Sequence, residues 1–215
     1  MCSVTDDIEV YRASAEAALN TFSEQTGLLG PVKQRFDYLK QRIYYRQLPN
    51  LAREATLAAQ KIRTLNLPLA SVEDPIVLRI LEEGSWADDE DMQVVWANLL
   101  VNAITEGTPD VHAAFRVVLD QLEPVEARTL NHLADKANFA ASPEDQRFTP
   151  IQLVSQGASG PHLDNLVRVG VLRYTRIMPT TVGSITDTGA SVSGATFTDF
   201  GWAFVKTCRE PPPPG

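Results

Sequence analysis

The stretch from Ser85 to Ala103 constrains this chain's fold more than any other. Met92, Val95, Trp96, Leu99, Leu100 and Ala103 recur at i, i+3, i+4, i+7, i+8 and i+11, one stripe of a 3.6-residue period. Such a stripe is a helix face bound for a core. Asp88, Asp89, Glu90 and Asp91 stand just before it, where a helix leaves its first N–H groups unpaired and its dipole favours negative charge. They predict the helix start, and the helix runs to about Thr105, where Gly107-Thr108-Pro109 stops it.

The preceding residues carry the same signal. Ile8, Tyr11, Ala15, Ala18, Leu19 and Phe22 share one face of a helix from about Asp6 to Gln25, ended by Gly27 and Gly30-Pro31. A second helix opens at Pro31 and buries Val32, Phe36, Leu39 and Ile43. Past Pro49 the apolar set becomes Leu51, Ala55, Ala58, Ala59 and Ile62, on a rotated face. A kink or break is therefore expected at Pro49, separating Arg53 from Arg35, Arg42 and Arg46. Asp74-Pro75 starts a short helix through Glu83, and another spans about Val111 to Gln121.

At Glu123-Pro124 the pattern changes. Helices are expected over Val125 to Ala137, over Thr149 to Gln156 with Thr149 as cap and Pro150 in the first turn, and over Ser159 to Val169. Leu163, Leu166 and Val167 form the inner face of the last. Val171 to Met178 alternates as a strand, Thr180 to Gly194 is a Thr/Ser/Gly-rich loop, and Ala195 to Phe197 pairs back before a helix from Asp199 to Cys208. The fold class that follows is mainly α: an N-terminal helical bundle followed by a C-terminal winged helix-turn-helix domain. Its expected parts are an amphipathic helix (1–30), a helical domain (31–122), a winged-helix-like domain (123–209) and a Pro-rich tail (210–215).

The acidic run followed by Trp96-Ala97-Asn98-Leu99-Leu100, the upstream Arg-rich helix with Arg46 and Asn50, and the C-terminal run from Phe197 to Cys208 occur in that order. Together they resemble the Abi-alpha (abortive infection alpha) family of bacterial phage-resistance proteins, over residues 30 to 208. Ala87 stands where that family usually has Glu. The resemblance implies a defence role.

Composition narrows the alternatives. No apolar run approaches the roughly 20 residues that span a bilayer, and Met1 to Val10 lacks a signal-peptide pattern, so a cytoplasmic location is expected. Cys2 and Cys208 stand at opposite ends, which predicts reduced thiols without catalytic context. The net charge of −8 opposes nucleic-acid binding through bulk electrostatics. Charge is unevenly placed, however: eight Lys or Arg lie between Lys33 and Arg63, and six acids without a base between Glu82 and Asp91.

Two groups of residues carry the binding hypotheses. Arg35, Arg42 and Arg46, with Tyr38, Tyr44 and Tyr45 nearby, could form a face for a partner or an anionic surface; the competing expectation is pairing with Glu82, Glu83 and the Asp88 to Asp91 run. His162, Asn165 and Arg168 sit where a recognition helix would read base edges, but the wing from Thr180 to Gly194 has no Lys or Arg to contact phosphate. Asp187-Thr188-Gly189-Ala190-Ser191 matches the active-site string of aspartic proteases, yet it is a lone copy preceded by Ser184 and Thr186, and a turn explains it better. His112, His132 and His162 make no metal-binding spacing, and neither a phosphate loop nor a dinucleotide fingerprint occurs, so no cofactor or metal is expected. The resulting expectation is a non-enzymatic antiphage protein acting through a protein partner or homo-oligomer. A DNA-binding regulator ranks second and a membrane-perturbing effector third.

Overall fold

The computed structural model describes residues 4–30, 32–70, 72–106, 109–139, 142–175, 194–209 and 211, without side-chain placement at 4–6, 32–33, 106, 109–112 and 144. The wing over 180–193, with Asp187-Thr188-Gly189, lies outside the described residues, as do Cys2, Gly107-Thr108 and the tail from 212. The chain is mainly helical, with ten α-helices and one small sheet among the described residues. None of these helices is long and apolar enough to cross a membrane.

Two compact units emerge, residues 1–120 with 207–215, and residues 121–206. The first holds α1 (Val4–Thr26), α2 (Val32–Arg42), a 3₁₀ turn (Tyr45–Gln47), α3 (Leu48–Leu65), α4 (Asp74–Gly84), α5 (Glu90–Glu106) and α6 (Pro109–Leu119). α1 packs along α3, and α3 and α4 along α5. The facing positions Ala15 and Ala18 on α1 and Ala52, Ala55 and Ala59 on α3 are buried, and small side chains let helix axes approach closely.

The break before α3 comes earlier than Pro49, at Ile43 and Tyr44, and Pro49 lies in the first turn of α3. Proline is tolerated there because its missing N–H would have had no partner. Gln47 directs the break: buried at 4% exposure, its side chain accepts the Tyr44 N–H at 2.7 Å. The break therefore parts Arg46 as well as Arg53 from Arg35 and Arg42, correcting the expected grouping.

α5 is buried on more than the predicted stripe. Ala97, Val101 and Ile104 are as inaccessible as Trp96 and Leu99, and Gln93, Asn98 and Asn102 are buried with them. A helix enclosed on most sides is a central helix. Its start is where the acids place it, because Asp89 Oδ1 accepts the N–H groups of Asp91 (3.0 Å) and Met92 (3.2 Å).

The second unit runs α7 (Pro124–Lys136), a 3₁₀ turn (Pro143–Asp145), β1 (Arg147–Phe148), α8 (Pro150–Val154), α9 (Gly160–Arg168), β2 (Leu172–Thr175), β3 (Gly194–Phe197) and α10 (Asp199–Cys208), whose last two residues group with the first unit. Thr149 caps α8 and Pro150 opens it, as the sequence indicates. On α9 only Leu166 of the three expected inner residues is buried; Leu163 and Val167 are half-buried. The strands are antiparallel in the order β1-β3-β2, with Leu172 opposite Phe197 and Phe148 opposite Ala195. Phe148, Phe197 and Trp202 form this unit's aromatic core, with ring centres 5.1 and 5.5 Å apart.

Candidate functional site

The segment between α4 and α5 is knitted to α3 by polar side chains. Asn50 Nδ2 donates to the Ser85 carbonyl (3.1 Å) and to Asp88 (2.9 Å), and Arg53 pairs with Glu90 at 2.5 Å. That ion pair holds the Glu90 carboxyl below its ordinary range and raises Arg53. Both partners face solvent, where screening leaves such a pair little weight in stability. Arg35 pairs with Asp74 (2.8 Å) and Arg42 with Glu82 (2.6 Å), which raises Arg42. Two of the three proposed arginines thus meet carboxylates within the bundle, one of them Glu82. Glu83 is taken by Arg116 at 2.6 Å, and burial still lifts the Glu83 carboxyl above its usual value.

Arg46 differs. Exposed on the 3₁₀ turn, its guanidinium lies 5.7 Å from the Tyr44 ring centre, a cation–π distance. Tyr44 in turn meets Trp86 edge to face at 5.9 Å. Tyr44, Tyr45 and Trp86 are 61%, 51% and 48% exposed, a contiguous patch of open ring surface of the kind that marks contact sites. The 3₁₀ turn and the α4–α5 connection thus display two tyrosines, a tryptophan and an arginine together. Sequence reasoning grouped Arg46 with the tyrosines and missed Trp86, because one aromatic in a connection has no period to assign it a face.

The other proposed set is occupied. Asn165 Nδ2 donates to the Glu126 carboxylate (3.0 and 2.9 Å) and to the Gln121 carbonyl (3.1 Å), while its Oδ1 accepts from Arg168 at 3.0 and 2.6 Å. His162 Nδ1 accepts the Ser159 N–H at 3.0 Å, and its Nε2 lies 3.3 Å from Glu123. His162 and Asn165 thus engage groups on or beside the start of α7, and Arg168 engages Asn165 on its own helix.

Asn98 and Asn102 have a role that sequence reading did not assign. From adjacent turns of α5, Asn98 Nδ2 donates to the Cys208 carbonyl (3.0 Å), and Asn102 Nδ2 to those of Thr207 (2.5 Å) and Arg209 (3.1 Å). These carbonyls belong to a helix end, which leaves its last C=O groups without intrahelical partners. Two amides four residues apart within an apolar helix were the available signal, since buried polar groups need partners. Burial pushes the neighbouring Cys208 thiol up, away from the thiolate that reacts.

These contacts describe a mainly helical protein built around one buried signature helix. The family described as abortive infection alpha matches residues 48–208, and the chain belongs to that family. Membership associates it with abortive infection, a phage-defence role. The matched span starts at 48 rather than 30, so Arg35, Arg42 and Arg46 precede it, whereas Asn50, Trp86, Asn98 and Asn102 fall inside. No curated protein and no solved structure matches the chain. Among the described residues no group of three or more His, Cys, Asp or Glu is placed to hold a metal.

Glu54 is the one fully buried carboxyl in this part of α3 that has a strongly raised affinity for its proton. It packs against Gly84 of α4, neither oxygen has a hydrogen-bond partner, and burial raises its pKa well above the ordinary 4.5. Below that ordinary value both folded and unfolded chains keep the proton, so nothing is lost. As pH rises past it the unfolded chain ionises first, and stability falls by up to about 1.4 kcal/mol per pH unit until the folded-state value is reached. Glu54→Gln should flatten that decline. Denaturant titrations of both proteins between about pH 5 and pH 8 check this, and parallel stability curves would refute it.

Proposed function

We propose that the protein acts in the cytoplasm as a non-enzymatic abortive-infection factor, engaging a protein partner or a second copy through the surface formed by Tyr44, Tyr45, Arg46 and Trp86. The exposure of these four residues together carries the reading. Tyr, Trp and Arg supply most hot-spot energy at protein interfaces, because they offer large rigid area with one polar tip. Their position beside the acidic run of the family's signature supports coupling between this surface and the defence role.

For the second unit we propose a winged helix. Its order of helix, strand, helix, helix, strand, strand and the β1-β3-β2 sheet support that assignment. DNA binding ranks below protein contact, since Asn165 and Arg168 are turned onto each other and Asn165 also onto Glu126. A sequence-selective duplex complex tighter than ~10⁻⁸ M at physiological salt, the range of specific regulators, would invert the order.

The test combines Tyr44→Ala, Arg46→Gln and Trp86→Ala. The changes remove the Tyr44–Trp86 ring contact, about 0.5–1.5 kcal/mol, so soluble protein should persist with a melting temperature only slightly below the parent's. Phage plating on cells expressing the variant should show protection reduced at least tenfold. Full protection from a stable, soluble variant would reject the surface.

A further inference from the structure

A cleft of about 550 Å³ lies among α2, α4 and α6, and guanidinium groups from all three helices line it: Arg35 and Arg42, Arg79, and Arg116. Four cations around one hollow stand out in a chain of net charge −8. Asp74, Glu82 and Glu83 neutralise three of them. Arg79 is exposed, makes no salt bridge among the described residues, and acts on the Glu83 carboxylate only at longer range. The pairings also leave donors over. Arg35 Nε is buried without an acceptor, and Arg116 Nε, though near Glu83, is not aligned for a hydrogen bond. Arginine N–H groups shut away from water call for an acceptor. Apart from Glu82, which Arg42 holds, the rest of the wall is apolar or aromatic: Ile76 and Ile80 line it, and the Tyr38 ring, 43% exposed, lies 5.5 Å from the Arg42 guanidinium.

We propose that this cleft binds a small organic phosphate, its apolar or aromatic part against Tyr38 and Ile76 and its phosphate among Arg35, Arg79 and Arg116. The volume falls within the roughly 300–1,000 Å³ of small-ligand sites, which combine apolar walls with a few placed polar groups. Guanidinium forks match phosphate oxygens with two parallel hydrogen bonds. Donors arriving from three helices suit a tetrahedral phosphate better than a flat carboxylate, which one fork satisfies. Arg116 also borders Trp86 across a neighbouring hollow, but the assignment stands whether or not the Trp86 surface binds protein.

Phenyl phosphate, the smallest probe with both parts, is titrated against the full chain beside inorganic phosphate, benzoate and sodium sulfate at matched ionic strength, following melting temperature and ligand-induced amide shifts. Phenyl phosphate should bind at least tenfold more tightly than the other three and shift amides on α2, α4 and α6. Arg79→Gln should leave the unliganded melting temperature unchanged and weaken phenyl phosphate at least tenfold. Tyr38→Ala should erase its advantage over inorganic phosphate. Equal stabilisation by sulfate, equal binding of benzoate, or full affinity in Arg79→Gln would each overturn the assignment.

Discussion

Trp96→Ala is expected to remove ~3–5 kcal/mol of stability, the range for truncating a buried large aromatic. Trp96 is 2% exposed on α5, among Leu99, Leu100 and the buried faces of α3 and α4. Alanine would leave a void that a helix enclosed on most sides cannot collapse to fill. Typical domains have about 5–15 kcal/mol in total, so soluble protein and phage protection should fall together. Trp86, ten residues earlier and 48% exposed, supplies the contrast: Trp86→Ala, which loses chiefly the ring contact with Tyr44, should lower the unfolding midpoint far less. Denaturant titrations and immunoblots of both variants decide it, and a Trp96→Ala protein with an unshifted midpoint would remove Trp96 from the core.

The comparison also replaces a blunter experiment. Joint substitution of Arg35, Arg42 and Arg46 looks clean when all three are placed on one polar helix face. In the structure it would leave Asp74 and Glu82 without their partners, and Asp74 also accepts the Leu29 N–H at 3.1 Å. Of the three, only Arg46 makes no salt bridge among the described residues, so its single variant reports on surface recognition with the least structural disturbance.

What the sequence made legible was whatever repeats or punctuates. α1, α3 and α5 announced themselves through apolar periods many residues long, and Pro75, Pro124 and Pro150 each stand in a first helical turn. β1 was missed because it has two residues, too few for an alternation to appear. The break at Tyr44 was misplaced because Pro49 is the louder local signal, while the Gln47 side chain reaching back three residues carried the actual one. At the candidate site, sequence placed Arg46 among tyrosines and put the acids beside a basic segment. It could not say which arginine meets which carboxylate, since Arg42 and Glu82 are 40 residues apart and only the packing of α2 on α4 brings them together. Glu54 was equally hidden. A single acid in a helix reads as solvated until its neighbours are known.

Gly201 sets local propensity against tertiary contact, and the magnitudes choose between them. It sits in the first turn of α10, where exchanging glycine for alanine ordinarily stabilises a helix by about 0.5–1 kcal/mol. Here Thr198 caps the helix: its Oγ1 accepts the Gly201 N–H (2.8 Å) and donates to the Gly170 carbonyl, while the Thr198 N–H donates to the Val171 carbonyl at 3.1 Å. Those bonds draw the helix start onto the chain entering β2, and a Cβ on residue 201 would collide with the Val171 carbonyl oxygen. Backbone cannot rotate aside as a side-chain end can, so relief requires moving α10 and breaking the Thr198 bonds, at about 1–3 kcal/mol for the overpacking and ~1 kcal/mol for each hydrogen bond lost. The propensity gain is too small to compensate, and Gly201→Ala should destabilise by about 2–4 kcal/mol on those terms. Denaturant titration followed by circular dichroism measures this; a Gly201→Ala protein as stable as its parent would mean that α10 does not approach Val171 as closely as described.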